Sequence, residues 1–183
     1  MLIIDAKKGN PQAYESLVKK YQRPIYFLCR RMTGAHQSAD DLTQETFIKA
    51  FFSLSHFKEG MNFFSWIRKI AVNNSLNYLK VRRREEPLGE KNGTIPGNPH
   101  TLNHESPPDR LQRHQMERRY HQALQLLPID QRAVFVLKVV ENLSYQEIAQ
   151  TLNIPRGTVM SRLNRARRKL KQELSEYVKG ENR

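Results

Sequence analysis

The chain has 183 residues, 38% of them hydrophobic, which is enough for one large domain or for two small ones with a modest core each. Its 31 lysines and arginines against 18 acidic residues give a net charge of +13. That excess favours a polyanionic partner, nucleic acid ahead of an acidic membrane surface.

One cysteine, Cys29, excludes an internal disulfide and a Cys-rich zinc site. No run reaches the roughly 18 apolar residues of a spanning helix. The opening Met1-Leu2-Ile3-Ile4-Asp5 lacks the pattern of a signal peptide. A cytoplasmic protein without membrane insertion is therefore expected.

Helical spacing dominates the first 84 residues. Pro11 suits a first helical turn, and Ala13, Leu17, Val18 and Tyr21 follow at three- and four-residue steps. Pro24 is expected to break or kink that helix. Cys29, within Phe27-Leu28-Cys29, reads as core packing. A second helix is expected to open at Ser38, with Ser38 as its cap, Asp40 and Asp41 at its positive end, and Leu42, Phe47, Phe51 and Leu54 along its apolar face. A third is expected from about Phe63 to Arg83. No alternating period, hairpin signal or internal repeat is present, so the fold class is all-α, built from two small helical domains.

Between those domains, residues 85–109 (EEPLGEKNGTIPGNPHTLNHESPPD) hold five prolines, three glycines and no sustained apolar period, the composition of a flexible linker. Residues 1–84 carry 15 basic and 6 acidic groups, residues 85–127 carry 5 and 6, and residues 128–183 carry 11 and 6. Two cationic lobes, 1–84 and 110–183, thus flank an acidic tether at 85–109.

The C-terminal stretch LPIDQRAVFVLKVVENLSYQEIAQTLNIPRGTVMSRLNRARRKLKQEL divides into three helices. Pro128 starts the first and Asn142 ends it. Ser144 and Glu147 have the spacing of a capping box for a short second helix, with Tyr145, Ile148, Ala149 and Leu152 on one face. Asn153 tolerates the left-handed backbone of a tight turn, and Pro155 pre-sets the first position of the third helix.

On that third helix Val159, Leu163, Ala166 and Leu170 point inward. The opposite face presents Gly157, Ser161, Asn164, Arg165 and Arg168. Small residues near the start, hydrogen-bonding groups one turn on and arginines beyond them form the order a DNA recognition helix needs. A solvated cationic face on a core helix pair is the plainer alternative; the turn, the spacing and the charge together favour the helix-turn-helix.

These residues resemble a known family, the extracytoplasmic-function (ECF) group of sigma-70 type sigma factors, promoter-reading subunits of bacterial RNA polymerase. The C-terminal module, with LSYQEIA and GTVMSRLNRAR, resembles region 4; ADDLTQETFIKAF resembles region 2.2 and FFSWIRKIAVNNSLNYLKVRRR regions 2.3 to 2.4. The resemblance implies a non-enzymatic factor that binds core RNA polymerase and promoter DNA, takes no cofactor or metal, and is controlled by an anti-sigma factor.

By the same resemblance, Arg156, Gly157, Thr158, Ser161, Arg162, Asn164, Arg165 and Arg168 read the −35 element. Phe63, Trp66, Lys69, Asn73, Asn77 and Lys80, with the loop residues Gly60, Met61 and Asn62, take the −10 element as single strand. Asn73 falls on the flipped-base pocket position. Asp41, Gln44 and Glu45 hold the polymerase clamp, and the linker threads the polymerase cleft.

Residue chemistry is compatible with those roles. An aromatic ring, amides and cations along one flank suit unpaired bases and their phosphates. Carboxylates repel DNA and suit a protein. Trp66 equally fits a core anchor for Phe63, Ile67 and Ile70; helix-end electrostatics is an alternative for Asp40 and Asp41, which a protein partner explains better. Two positions depart from the family pattern: Met160 stands where Lys or Arg is frequent, and Asn153 where Gly is usual.

Three other functions are open to the composition. A regulator with the same helix-turn-helix and no polymerase role leaves the first lobe unexplained. A recombinase would need a nucleophile in a basic constellation, which is not recognisable here. An RNA-binding structural protein would show no single-base preference. Zinc at His100 and His104 lacks a third ligand nearby.

Overall fold

The structure, a computed structural model, describes residues 2–85 and 118–180, with side chains up to residue 173. Most of the tether, with His100 and His104, lies outside the described residues. Among the described residues every regular element is helical, as the absence of any two-residue period requires. The chain divides into two compact units, split along the sequence near residue 87.

In the N-terminal unit, α1 (Leu2–Lys7) leads into α2 (Pro11–Thr33), α3 (His36–Ser53), a 3-10 turn (Leu54–His56) and α4 (Phe63–Glu85). Helices α2, α3 and α4 pack pairwise, and α1 lies on α2 and the 3-10 turn. Asn10 caps α2 by accepting from the Gln12 and Ala13 amides, and Pro11 occupies the first turn. Gly34, at φ 81°, closes α2 in the left-handed conformation that favours glycine.

Ile25, Leu28, Met32, Ala39, Ala50, Ile67, Ala71 and Val72 are sealed from solvent at the centre. Cys29 is sealed with them, and burial pushes its thiol up to about 11, leaving an inert packing residue.

Three expectations for this unit are corrected. Pro24 neither breaks nor ends α2, which runs through it; the residue is exposed, so its ring faces solvent. Helix α3 opens two residues before Ser38, at His36, without a side-chain cap. The Ser38 hydroxyl instead bonds the Tyr78 hydroxyl of α4 at 2.8 Å, a tertiary contact that draws it away from the capping role. Phe51 is half-exposed rather than core, edge-on to Tyr14 with ring centroids 5.0 Å apart; the buried stripe of α3 runs through Leu42, Thr46, Phe47 and Ala50.

In the C-terminal unit, α5 covers residues 118–125 of the described chain. It is followed by α6 (Ile129–Phe135), a wide π turn (Val136–Val140), α7 (Tyr145–Leu152) and α8 (Arg156–Gly180). Arg132 is buried and donates to Gln125 and to the Gln125 and Leu127 carbonyls, satisfying the end of α5. Desolvation lowers its pKa to about 10, still far above neutrality.

Asn142 and Asn153 both sit at φ 52°. The Leu143 amide reaches the Leu137 carbonyl and the Ile154 amide the Ala149 carbonyl, each at 3.0 Å, so both asparagines end helices by left-handed closure. The capping box is formed: the Ser144 amide donates to Glu147 Oε2 at 2.7 Å and the Glu147 amide to Ser144 Oγ at 3.2 Å. Pro155 stands one residue ahead of α8, and its carbonyl accepts the Thr158 and Val159 amides.

The corner between α2 and α3 carries a pH-sensitive contact. The Tyr26 hydroxyl lies 2.5 Å from His36 Nδ1, which accepts when its proton is on Nε2. Desolvation first, and then the charge of Arg30, hold His36 below its ordinary value of 6.5, with Asp40 opposing. A histidine whose folded pKa is depressed contributes stability above its unfolded pKa and loses it as pH falls through the folded one. Melting followed by circular dichroism from about pH 7.5 to about pH 5.5 should therefore show a falling midpoint. His36→Gln, which keeps an acceptor for Tyr26 without the titration, should fall less steeply; an identical slope would exclude His36 as the group responsible.

Candidate nucleic-acid interface

Helix α8 is fixed by its apolar side. Val159, Leu163 and Ala166 are at most 1% exposed and Leu170 8%, and α6 packs along it. The sequence pattern identified that inward face correctly. On the opposite side Arg156, Gly157, Ser161, Asn164, Arg165 and Arg168 are all exposed. Residues 156–171 contain seven lysines and arginines and no acid, so the face is strongly positive.

A Cβ built on Gly157 would meet nothing within 4 Å, and its φ is not positive. Internal packing therefore does not require glycine there, and the missing side chain leaves room for close approach by another molecule. The Ser161 hydroxyl donates to the Thr158 carbonyl at 3.1 Å and keeps its lone pairs for a further contact.

Two of the eight residues expected on this surface are less accessible. Thr158 is half-buried. Arg162 lies on the flank of α8, where its Nη2 meets Asp130 Oδ2 of α6 at 3.2 Å with its side chain 27% exposed. The spacing of residues on α8 alone could not reveal that partner, because Asp130 lies 32 residues away.

The second expected surface is on α4 and the loop before it. Lys69, Asn73, Asn77 and Lys80 are exposed and follow one another at helical spacing along one line. Trp66, half-buried, extends the line toward the helix start, its ring centroid 5.2 Å from that of Phe57 and 5.5 Å from that of Phe63. Part of the Trp66 ring thus packs as a core anchor against Phe57 and Phe63, while the side chain keeps some exposure to solvent.

Phe63 is 3% exposed, wedged among Tyr21, Phe57 and Trp66, so it is a core residue and not a surface for stacking bases. Gly60 takes φ 81°, a turn position, and Met61 beside it is exposed. Asn62 accepts from the Ser65 amide at 3.0 Å, which makes it the cap of α4. Its backbone carbonyl takes the Trp66 amide at 3.2 Å.

Asp41, Gln44 and Glu45 are exposed together on α3. Because the helix begins at His36, Asp40 and Asp41 fall beyond its first turn, and helix-end electrostatics do not account for them. Two residues that sequence reasoning passed over continue the same face: Ile48, 57% exposed, and Phe52, 76% exposed. Their signal was present in the spacing, since 41, 45, 48 and 52 advance by three or four residues, about one turn, at each step, with 44 beside 45. Glu45 is tied to Lys49 at 2.5 Å, and Lys49 reaches Asn74 Oδ1 at 2.8 Å, which holds this face against α4.

The two units match two family profiles, sigma-70 region 2 over residues 17–85 and sigma-70 region 4 over residues 117–170. The RNA polymerase sigma-H factor of Pseudomonas aeruginosa is 35% identical over 182 residues, 97% of this chain and 94% of that one. The chain belongs to the extracytoplasmic-function sigma factors of the sigma-70 family. The ECF RNA polymerase sigma factor SigW of Bacillus subtilis is 31% identical over 94% of each chain. Among solved structures, the sigma factor RpoE of Bartonella quintana, crystallised with the anti-sigma factor NepR, shares the fold at TM-score 0.68 and 24% identity, over 88% of this chain and 96% of that one.

Among the described residues no group of histidine, cysteine and carboxylate side chains could hold a metal, and no helix is long and apolar enough to cross a membrane.

The Arg162 pair gives a measurable consequence for this sigma factor. Asp130→Asn removes an acid beside the cationic face and releases Arg162. Binding to a random-sequence duplex, followed by fluorescence anisotropy across a salt series, should strengthen, and the salt slope should steepen by about 1. An unchanged slope would show that Arg162 does not reach phosphates.

Proposed function

We propose that this chain directs promoter-specific transcription initiation as a non-catalytic, cytoplasmic subunit that joins core RNA polymerase. In this reading, residues 1–84 grip the polymerase and the −10 element, residues 110–183 read the −35 element, and residues 85–109 tether the two through the polymerase cleft. The observation that carries it is the coexistence of two chemically opposed kinds of surface on one chain. The α3 face is acidic and apolar, which excludes DNA and suits a protein; the outward faces of α4 and α8 are cationic and amide-bearing, which suits DNA.

On α3, Asp41, Gln44 and Glu45 supply polar contacts to the polymerase clamp, and Ile48 and Phe52 the apolar anchor that a protein interface requires. On α4, Asn73 and Asn77 hydrogen-bond unpaired bases, Trp66 offers its free edge for stacking, and Lys69 and Lys80 neutralise phosphates. Taking one base out of the stack costs a few kcal/mol, which contacts from Gly60, Met61 and Asn73 offset. On α8, Ser161, Asn164 and Arg165 reach base edges while Arg156 and Arg168 hold the backbone.

An anti-sigma factor is the expected regulator. The same exposed apolar residues that suit polymerase would otherwise be uncovered in the free protein, and the Bartonella relative was crystallised with such a partner.

Two measurements test these assignments. Phe52→Ala combined with charge reversal at Asp41 and Glu45 should reduce capture by core polymerase at least about ten-fold with little change in melting temperature, since all three side chains are exposed; wild-type capture would contradict the α3 assignment. Arg165→Ala should weaken binding to a −35 duplex by about 1–3 kcal/mol and leave polymerase capture intact. Equal affinity of the variant and the wild-type chain for that duplex would remove Arg165 from the reading surface.

A further inference from the structure

Met160 is the one exposed apolar side chain between residues 156 and 168; every other exposed residue in that stretch is cationic, polar or glycine. It is 46% exposed on the outward side of α8, one turn after Gly157, one turn before Asn164 and next to Ser161. Ser161 and Asn164 are proposed above to reach base edges, and Gly157 leaves room for close approach. The buried side of α8 does not need it, since Val159 and Leu163 on either side already fill the seam.

A partner surface for Met160 must therefore be apolar, yet set within a strongly negative molecule, because the helix around it is uniformly positive. The floor of the major groove meets both conditions at one kind of place: the 5-methyl group of thymine is the apolar feature there, among donors and acceptors and between two rows of phosphates. An unbranched, polarisable thioether with three rotatable bonds adapts to such a small, recessed methyl. A lysine or arginine at this position would seek a guanine or a phosphate instead.

We infer that Met160 is a specificity-determining residue of the −35 interface, which selects a thymine by contact with its 5-methyl group. The inference rests on the promoter-reading function proposed for α8 and assigns to it a base and an atom.

The test uses the full chain and duplexes selected with core polymerase from a random library. Each thymine of the recovered −35 element is replaced in turn by deoxyuridine, which deletes the methyl and leaves base pairing unchanged. At one thymine the wild-type chain should lose affinity about three- to five-fold, the scale of one buried methyl group. Met160→Gln, of similar length but polar, should bind the thymine and uracil forms of that duplex equally, and Met160→Lys should shift selection toward guanine at or beside that position. Both substitutions are exposed, so melting curves should match that of the wild-type chain.

Indifference of the wild-type chain to every methyl deletion would overturn the inference while leaving promoter reading in place. So would a methyl effect as large in Met160→Gln as in the wild-type chain. If the wild-type chain failed to distinguish the selected duplex from a scrambled one, promoter reading by α8 would fail and the Met160 assignment with it.

Discussion

Burial of one side of α8 is the constraint on which the rest of the C-terminal unit depends. Once Val159, Leu163, Ala166 and Leu170 are committed to the interior, helical geometry leaves the intervening residues no choice of direction, and the arginines must face water. Seven cations without an intervening acid then repel one another along a single helix. Asp130 relieves that repulsion at one point, through Arg162 on the flank. A polyanion running along the exposed face relieves it throughout, with release of counterions as the driving term.

The N-terminal unit solves a different problem with the same device. Its three long helices bury a shared centre, and each is left with an outward face whose chemistry the core does not dictate. On α4 that face is amide and cation; on α3 it is carboxylate, amide and large apolar side chains. Ile48 and Phe52 stand out because burying them on a second protein gains free energy that solvation cannot provide. The Glu45–Lys49–Asn74 chain of contacts ties the α3 face to α4, so the two outward surfaces of this unit are held in a fixed relation.

Much of this was legible in the residues because the signals were local. The capping box at Ser144 and Glu147, the left-handed turn at Asn153 and the inward face of α8 each depend on a few neighbours in sequence, and the structure contains them as expected. What failed to show was what tertiary contact decides. Ser38 has the chemistry of a cap, but Tyr78 from another helix takes its hydroxyl. Pro24 has the chemistry of a break, but it lies on the solvent side of a helix held by its packing. Phe63 and Arg162 have the chemistry of DNA contacts, yet an aromatic cluster encloses the first and an acid from α6 engages the second. The apolar end of the α3 face was readable from spacing but stayed hidden, because an aromatic at helical period is taken for core until its exposure is seen.

In the function proposed for this chain, two cationic units and one acidic, apolar face act together as a promoter-directing subunit. Run-off transcription measures this most directly: the purified chain, added to core polymerase lacking any sigma factor, is presented with a library of promoter fragments. Discrete transcripts should appear from templates that share two separated sequence elements, and none should appear with core polymerase alone. Tight association with core polymerase but no defined start on any template would contradict that function.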